Sequence, residues 1–356
     1  MPDADDIFTL PPSVVSRIES DAQSLIRREA EAWLVERCRE TLQSAGQWSL
    51  DYASPEAYES SCEPHRKLWS RTLGEWTFDA PVNPLFEPFY ETDEVLARWI
   101  RIDLADGLQG RAILALPKNQ SGPLPLVIAQ HGLGSSPERV FGFNDDAGFY
   151  KGYARSLVSA GYAVLAPLNV IEGPPRARLA RLCHLLGRTL WGLETGKLRR
   201  FIDFVSDLPE IDGSRIGMWG LSLGGYYTAY TAPLEQRIKV AIWSACFNER
   251  WHKMAVSSPL YTAYVDVEEE HFWIPGYFAG GFGDAELAAL ICPRALQIQQ
   301  GRADGIGWWP IQEKEFERCK NFYDQLGVGD RIEYAGHNGG HEIRSEQGLD
   351  FLRRFL

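Results

Sequence analysis

The sequence predicts an α/β protein built on one mixed, mainly parallel sheet with helices on both faces. Two observations carry this prediction. First, alternating runs at 95–102 and 110–116 flank Ala105-Asp106-Gly107, which predicts an antiparallel hairpin. Second, continuous apolar runs then alternate with helical segments up to residue 356. Strands that are covered on both faces and separated by helices are typical of parallel sheets.

The composition is that of an ordinary globular protein, with 356 residues of which 45% are hydrophobic and 24% charged. The formal net charge of -12 argues against nucleic acid as a partner, because no basic stripe is available for phosphates. The Arg-rich stretch 176–188 is better explained as a solvated helix face. No apolar run is long enough to cross a bilayer, so we expect no membrane partner.

The acidic N-terminus lacks the basic-then-apolar order of a signal peptide, so a cytoplasmic location is expected. Six cysteines are scattered without a C-x-x-C motif and are expected to be reduced thiols. His337 and His341 are four residues apart, but two glycines lie between them, so they do not share a helix face. We therefore expect neither a metal site nor a cofactor.

The first 93 residues are predicted to be a helical extension. Apolar residues recur at three- and four-residue steps from Pro11 to Ala45, and Gly46 ends this helix. Ser54 and Pro55 begin a second helix as its cap and its first residue. These helices could form a dimer arm, form a lid, or simply pack against the domain. A homodimer is one expectation among these.

Residues 94–356 are predicted to form the main domain. After the hairpin, short apolar runs predict strands, and longer amphipathic segments predict helices. The predicted strands are 124–130, 162–166, 214–219, 238–244, 294–299 and 331–334, and the predicted helices are 148–160, 179–208, 309–326 and 345–356.

One segment interrupts this alternation. Residues 248–290, called the cap below, are rich in Trp, Tyr and Phe and lie between two predicted strands. Such a segment emerges at the sheet edge where ligands bind in open α/β sheets, so we predict that it covers a site. The alternative is a helical excursion with a small core of its own.

The motif Gly220-Leu221-Ser222-Leu223-Gly224 has the G-x-S-x-G pattern of a nucleophile elbow. A short apolar run precedes it and a helix-forming run follows it, which is the strand–turn–helix context that the motif needs. The turn strains the serine backbone, so small flanking residues are required. Ser222 is the predicted nucleophile, and an ordinary strand-to-helix turn is the alternative.

A serine hydroxyl needs a base, and that base needs a carboxylate to orient it. His341 follows the last predicted strand and two glycines, and we favour it over His337, which lies nearer the strand. Asp304 lies on a loop directly after a buried strand and is the predicted acid, with Glu249 in reserve. The order Ser, Asp, His agrees with one known arrangement of the triad.

An oxyanion needs two backbone N–H donors. Leu223, next to the nucleophile, supplies one, and Leu133 in the glycine-containing loop after the 124–130 strand supplies the other. That loop could also cradle a phosphate, but no Lys-Ser/Thr pair follows it.

With these residues assembled, the chain resembles α/β-hydrolases of the esterase group that contains dienelactone-hydrolase-like proteins and acetyl xylan esterases. The resemblance spans roughly residues 94–356 and implies Ser222, Asp304 and His341 as the triad. Ser at 222 departs from a strict dienelactone hydrolase, and the arginine that follows the serine in glucuronoyl esterases is absent. The matching segments are His131-Gly132, Leu185–Arg188, Asp212–Gly217, Gly220–Gly225, Cys292–Arg294, Gly301–Asp304 and Gly339–Glu342.

We therefore expect a serine hydrolase that cleaves a small-molecule carboxylic ester through an acyl-enzyme. Aromatic residues suit stacking on a sugar or an aromatic acyl group, which slightly favours a carbohydrate acetyl ester. A hydrolase of C–C bonds or amides and a non-catalytic binding protein of the same fold are the alternatives. The predicted substrate-binding residues are His131, Trp273, Tyr277, Trp308 and Trp309.

Overall fold

The computed structural model describes residues 21–44, 48–170, 174–256, 258–264 and 272–356. In these ranges nine strands form one sheet, in the order β1-β2-β3-β5-β4-β6-β7-β8-β9. The strands are β1 (Leu85–Glu91), β2 (Val95–Ala105), β3 (Leu108–Pro117), β4 (Leu124–Gln130), β5 (Ala163–Pro167), β6 (Ile211–Leu221), β7 (Ile238–Ser244), β8 (Ala295–Gly301) and β9 (Ile332–His337).

The sheet is antiparallel from β1 to β5 and parallel from β5 through β4 to β9. Strands β5 and β8 are buried along their whole length, and β4 and β7 nearly so, because helices cover both faces. Parallel pairing sets the ends of the strands side by side: Leu221 lies opposite Ser244, and Gly301 opposite His337. The carboxyl ends of β6 to β9 therefore share one edge of the sheet, as the sequence predicted.

Helices flank this sheet, and several are shorter than their predicted counterparts. Within the described residues, none combines the length and the apolar character needed to cross a bilayer. The helices are α1 (Asp21–Ser44), α2 (Pro55–Leu73), α3 (Pro137–Val140), α4 (Tyr153–Ser159), α5 (Pro174–Leu185), α6 (Leu190–Ser206), α7 (Leu223–Thr231), α8 (Arg250–Ala255), α9 (Asp284–Ile291), α10 (Trp309–Gln325) and α11 (Ser345–Phe355).

Two predicted helices differ from the structure for reasons of backbone conformation. The predicted helix 179–208 is two helices, because Gly187 has a left-handed φ of 65° and Thr189 caps α6 by accepting the N–H of Gly192. The predicted helix 148–160 begins only at Tyr153, since Gly148, Lys151 and Gly152 all have positive φ. The predicted bounds of the first helix, 11–20 and 45–46, lie outside the described residues.

The boundary predicted at residue 93 does not separate helices from sheet. Strand β1 lies before it and pairs with β2 from Leu85 opposite Arg101 to Glu91 opposite Leu96. Its side chains are mostly exposed, as expected of an edge strand, so it lacks the buried apolar pattern that reveals a strand in sequence.

Helix α2 packs into the main core and is neither an arm nor a lid. Ser54 caps it through the N–H of Ala57, and Pro55 is its first residue, as predicted. The fully buried ring of Trp69 donates from Nε1 to the carbonyl of Tyr230 at 3.0 Å, and Tyr58 donates to the carbonyl of Ala289 at 2.9 Å. In contrast, four large apolar side chains of α1 are exposed: Leu25, Ile26, Trp33 and Leu34.

We predict that Trp69→Ala lowers the free energy of unfolding by about 3–5 kcal/mol, because it leaves a large cavity and an unpaired carbonyl on α7. Leu185→Ala, which removes an exposed side chain from α5, should change stability by no more than about 0.5 kcal/mol. Denaturant unfolding of both variants measures the difference. Equal small effects would show that α2 is a dispensable appendage.

Candidate active site

Ser222 lies alone between β6 and α7 in a backbone conformation that side chains rarely adopt, with φ 59° and ψ -119°. Its N–H donates to the carbonyl of Ser244 on the neighbouring strand at 2.8 Å, and its own carbonyl accepts the N–H of Tyr226 in α7 at 3.0 Å. Hydrogen bonds thus hold the turn to β7 and to α7. Strand and helix enclose the serine as the sequence motif predicted.

The glycines of the motif are required by close backbone packing. A Cβ on Gly220 would lie 2.1 Å from the carbonyl oxygen of Gly224, and a Cβ on Gly224 would lie 2.2 Å from the carbonyl oxygen of Gln130. A Cβ on Gly225 would lie 2.6 Å from the Cys246 sulfur. No side chain fits at these distances, so the absence of Cβ atoms lets the start of α7 approach β4 and β7.

Asp304 and His341 are hydrogen bonded to each other on loops that follow β8 and β9. His341 Nδ1 lies 2.9 Å from Asp304 Oδ2, and the side chains are 26% and 1% exposed, respectively. Asp304 also accepts the N–H of Ile306 at 3.1 Å and the amide of Gln300 at 3.3 Å. When Nδ1 donates to the carboxylate, Nε2 carries the lone pair of a base.

Residues 302–308, called the acid loop, and residues 338–344, called the histidine loop, pack directly on each other. Ala303 donates its N–H to the carbonyl of Gly339 at 3.1 Å. A Cβ on Gly301 would lie 2.4 Å or less from the carbonyl oxygens of Gly339 and Gly340. The glycine pair before His341 therefore does more than form a tight turn, because its carbonyls meet the end of β8.

The alternative acid and base are used elsewhere. Glu249 caps α8 by accepting the N–H groups of Trp251 and His252, and it also pairs with the His252 ring. The ring of His337 is largely buried, and its Nδ1 accepts the N–H of Gly339 at 3.1 Å. Burial lowers the pKa of His337, and the nearby Arg344 guanidinium adds to this. Glu249 thus pairs with a histidine of α8, and the ring that Asp304 binds is His341 and not His337.

A chain of buried hydrogen bonds crosses the sheet from the serine strand to the histidine loop. Trp219 on β6 donates from Nε1 to Ser244 Oγ at 2.9 Å, and Ser244 donates to Gln299 Oε1 at 2.8 Å. Gln299 Nε2 then donates to the carbonyl of Arg344 at 3.1 Å. Satisfied buried networks of this kind fix relative positions, so this one aligns β6, β7, β8 and the histidine loop.

The histidine loop is also joined to the segment before α4, which in turn contacts the loop after β4. The Phe149 carbonyl accepts the N–H of Ile343 at 2.8 Å, and the Phe149 ring lies edge-on to the His341 ring with centroids 6.1 Å apart. The next residue, Tyr150, accepts the N–H of Gly132 at its hydroxyl, at 2.8 Å. A Cβ on Gly132 would lie 3.3 Å from Ser222 Cβ, so this segment connects the two parts of the site.

Leu223 and Leu133 stay the candidate oxyanion donors. Leu223 is the first residue of α7, and the first N–H groups of a helix have no partner within it. Leu133 follows Gly132 in the loop after β4, and its side chain is exposed. Since the Gly132 N–H is already engaged by Tyr150, the next N–H in this loop stays the candidate donor.

His131, a predicted substrate-binding residue, is buried, with 1% of its surface exposed. Its Nε2 accepts the N–H of Asn169 at 3.0 Å, and Nδ1 lies 2.8 Å from the Gly132 carbonyl. Burial lowers the pKa of His131 to about 3. This ring therefore holds the segment after β5 against the loop after β4, which differs from the predicted contact with substrate.

Most aromatic rings of the cap pack within the protein. Tyr264 stacks on Phe272 at 4.1 Å, and Tyr277 is buried in the core cluster that also contains Trp69. Trp273 differs, with 40% of its surface exposed. Both Trp273 and Tyr277 line one surface pocket together with Arg250, whose guanidinium is paired with buried Asp284.

The other two predicted substrate residues lie at the start of α10. Trp308 is half-buried against the cap residues Val256 and Tyr261. Trp309 is 38% exposed, and the guanidinium of Arg302 lies 5.1 Å from the centre of its ring. Trp273 and Trp309 are thus the predicted residues with rings open to a ligand.

Sequence reasoning missed several residues at this site. Gln300 could have been suspected because it precedes the acid loop, but Phe149, Tyr150 and Lys253 carry no motif. Across the described ranges, no group of three or more His, Cys, Asp or Glu side chains is arranged to hold a metal ion.

Comparison with known proteins supports the fold. No family model matches the chain. It is 26% identical over 301 residues to the Bacillus subtilis protein named "Putative hydrolase YtaP", covering 82% of this chain and 98% of that protein. It is 28% identical to the hydrolyase ccsE of Aspergillus clavatus, covering 49% of this chain but 36% of the relative.

Two solved structures cover most of both chains. A "putative acetyl xylan esterase" from Bacteroides fragilis superposes with a TM-score of 0.73 at 14% identity, covering 99% of this chain and 98% of that one. A glucuronoyl esterase from Solibacter usitatus superposes with a TM-score of 0.62 at 13% identity, covering 87% and 98%. With its mainly parallel sheet and flanking helices, the chain has the α/β-hydrolase fold that the resemblance in sequence implied.

Proposed function

We propose that this protein is a serine hydrolase that cleaves carboxylic esters through an acyl-enzyme. The observation that carries the proposal is the 2.9 Å contact between His341 and buried Asp304, at the sheet edge where the strained Ser222 turn lies. An imidazole oriented by a carboxylate beside a serine on a strained turn is the arrangement that activates a hydroxyl.

The proposed reaction follows from these positions. Ser222 Oγ attacks the ester carbonyl carbon while His341 Nε2 accepts the hydroxyl proton, and Asp304 stabilises the imidazolium. The N–H groups of Leu223 and Leu133 bind the oxyanion. The C–O bond to the alcohol then breaks as His341 returns the proton to the leaving oxygen. Water, deprotonated by His341, releases the acid and restores Ser222.

A carbohydrate ester is the proposed substrate class. Two structural neighbours carry the names of an acetyl xylan esterase and a glucuronoyl esterase. The partly exposed rings of Trp273 and Trp309 offer flat apolar faces of the kind that stack on sugars. A panel of acetylated sugars and aryl esters would test this choice, and turnover of aryl esters alone would contradict it.

We also propose a cytoplasmic location and a homodimer. Six free cysteines and the absence of a disulfide among the described residues support a cytoplasmic location. The exposed apolar residues of α1 support a homodimer that would cover them. Sedimentation of the protein with and without Trp33→Ala and Leu34→Ala tests the dimer.

We predict that a fluorophosphonate labels Ser222 and that Ser222→Ala abolishes both labelling and hydrolysis of p-nitrophenyl acetate. Loss of one triad member should lower kcat by about 10⁴- to 10⁶-fold. Ser214→Ala, an exposed serine near the other end of the same strand, is the matched control and should keep full activity. Labelling of the Ser222→Ala protein would contradict the assignment of Ser222 as the nucleophile. A wild-type protein that is neither labelled nor active would favour a binding protein.

We predict that Asp304→Asn lowers kcat by roughly 10⁴-fold while the protein stays folded, because the amide no longer orients His341. Glu249→Gln should weaken the hydrogen bonds at the N-terminus of α8 and reduce stability by about 1 kcal/mol, with little loss of kcat. Kinetics and thermal melts of the two variants decide between the carboxylates. An active Asp304→Asn beside an inactive Glu249→Gln would reverse the assignment.

We predict that Trp273→Ala raises KM about fivefold for a bulky ester and leaves hydrolysis of a small acetyl ester nearly unchanged. An exposed ring contributes about 1 kcal/mol of contact, equally in the ground and transition states. Tyr277→Ala should lower the melting temperature, since its ring is part of the core. Equal losses on both esters together with a lower melting point in Trp273→Ala would show that this ring is also structural.

A further inference from the structure

A buried lysine of the cap bonds the acid loop. The side chain of Lys253, on α8, is 1% exposed. Its Nζ donates to the carbonyl of Thr262 in the cap at 2.5 Å and to the carbonyl of Ile306 in the acid loop at 2.7 Å. The ammonium also lies 4.5 Å from the centre of the Tyr264 ring. One side chain therefore bonds two segments that are distant in sequence.

A backbone contact joins the same two segments. Thr262 donates its N–H to the carbonyl of Gly305 at 3.0 Å. The following residue, Ile306, donates its N–H to Asp304 Oδ1 at 3.1 Å. Ile306 thus accepts from Lys253 at its carbonyl and donates its N–H to the Asp304 carboxylate, so only one residue lies between the lysine and the acid.

The surroundings make this position unfavourable for an ammonium. Burial, together with the nearby Arg250 guanidinium, lowers the pKa of Lys253 to about 7, and Asp304 opposes the shift. Burying a charge is costly unless it is well bonded. If Lys253 were lost, the Thr262 and Ile306 carbonyls would lose these donors, which is destabilising if they stayed dry.

We propose that Lys253 is a positioning residue for Asp304: it clamps the cap to the acid loop and thereby fixes the carboxylate that orients His341. This inference rests on the proposed esterase function and goes beyond it. The cap then contributes to the chemical step even for esters too small to touch its rings. Removing the clamp should lower kcat, whereas removing a substrate contact such as Trp273 should raise KM.

The first test compares Lys253→Met, Lys253→Arg and Lys239→Met. Methionine preserves most of the side-chain volume without a donor, and arginine keeps a charged donor. Lys239, an exposed lysine that also bonds a backbone carbonyl, is the matched control. With p-nitrophenyl acetate, Lys253→Met should lower kcat by about 10²-fold at a KM within about threefold of wild type, as expected for a small misplacement of a catalytic group.

Lys253→Arg should recover a measurable part of the lost kcat, and Lys239→Met should match the wild type. A Lys253→Met protein with a lower melting temperature but wild-type kcat would overturn the inference, because the lysine would then be only structural. A rise in KM at unchanged kcat would overturn it as well.

The second test breaks the clamp from the cap side, in case Lys253→Met fails to fold. Thr262→Pro removes the N–H that binds Gly305, whereas Thr262→Ala keeps the backbone and changes only an exposed side chain. We expect the proline variant to lower kcat and the alanine variant to retain it. Equal kcat in the two variants would show that cap docking does not reach the acid.

A readout independent of ester cleavage separates this inference from the proposed function. The proton between His341 and Asp304 should give a downfield NMR signal, identified by its loss in Asp304→Asn. Weakening or loss of this signal in Lys253→Met but not in Lys239→Met supports the clamp even if no ester is cleaved. An unchanged signal in Lys253→Met would overturn the clamp while Ser222 labelling still tests the esterase.

Discussion

The turn at Ser222 depends on contacts between backbones that leave no room for side chains. The carbonyl of Gly224 fills the place of a Cβ on Gly220, and the carbonyl of Gln130 fills the place of a Cβ on Gly224. A non-glycine residue held at positive φ costs on the order of 1–3 kcal/mol and persists only when its surroundings impose it. Here the surroundings are the ends of β4, β6 and β7, so the nucleophile is oriented by the centre of the sheet.

Close backbone packing also holds Asp304 and His341, which lie toward the β9 end of the sheet. Asp304 and His341 lie on separate loops that are joined through the backbone at Gly301 and Gly339. The buried path through Ser244 and Gln299 keeps these loops in register with β6. Strands β6, β8 and β9 therefore position Ser222, Asp304 and His341, respectively. Such precision is easier to maintain on packed strands than on free loops.

The sequence predicted much of the fold and the principal site residues, and the limits of that prediction have physical causes. Apolar patterns identified β2 to β9 because each of those strands has buried side chains, whereas β1, which has none, was missed. The elbow at Ser222 was predicted from its motif, and Asp304 and His341 were predicted from their positions on loops after strands. His131 was taken for a substrate contact, since burial is not visible in a loop motif, and Lys253 was missed because its partners are backbone carbonyls in distant segments.

The exposed strand β1 also bears on how the protein behaves at high concentration. An edge strand with a regular row of free N–H and C=O groups is a template on which another molecule can add a strand. Pro88 lies in the middle of β1 and has no N–H, and the pairing with β2 shifts register between Pro88 and Tyr90. The proline and the irregularity interrupt that row, so the nine-stranded sheet ends in an edge poorly suited to growing into a fibril.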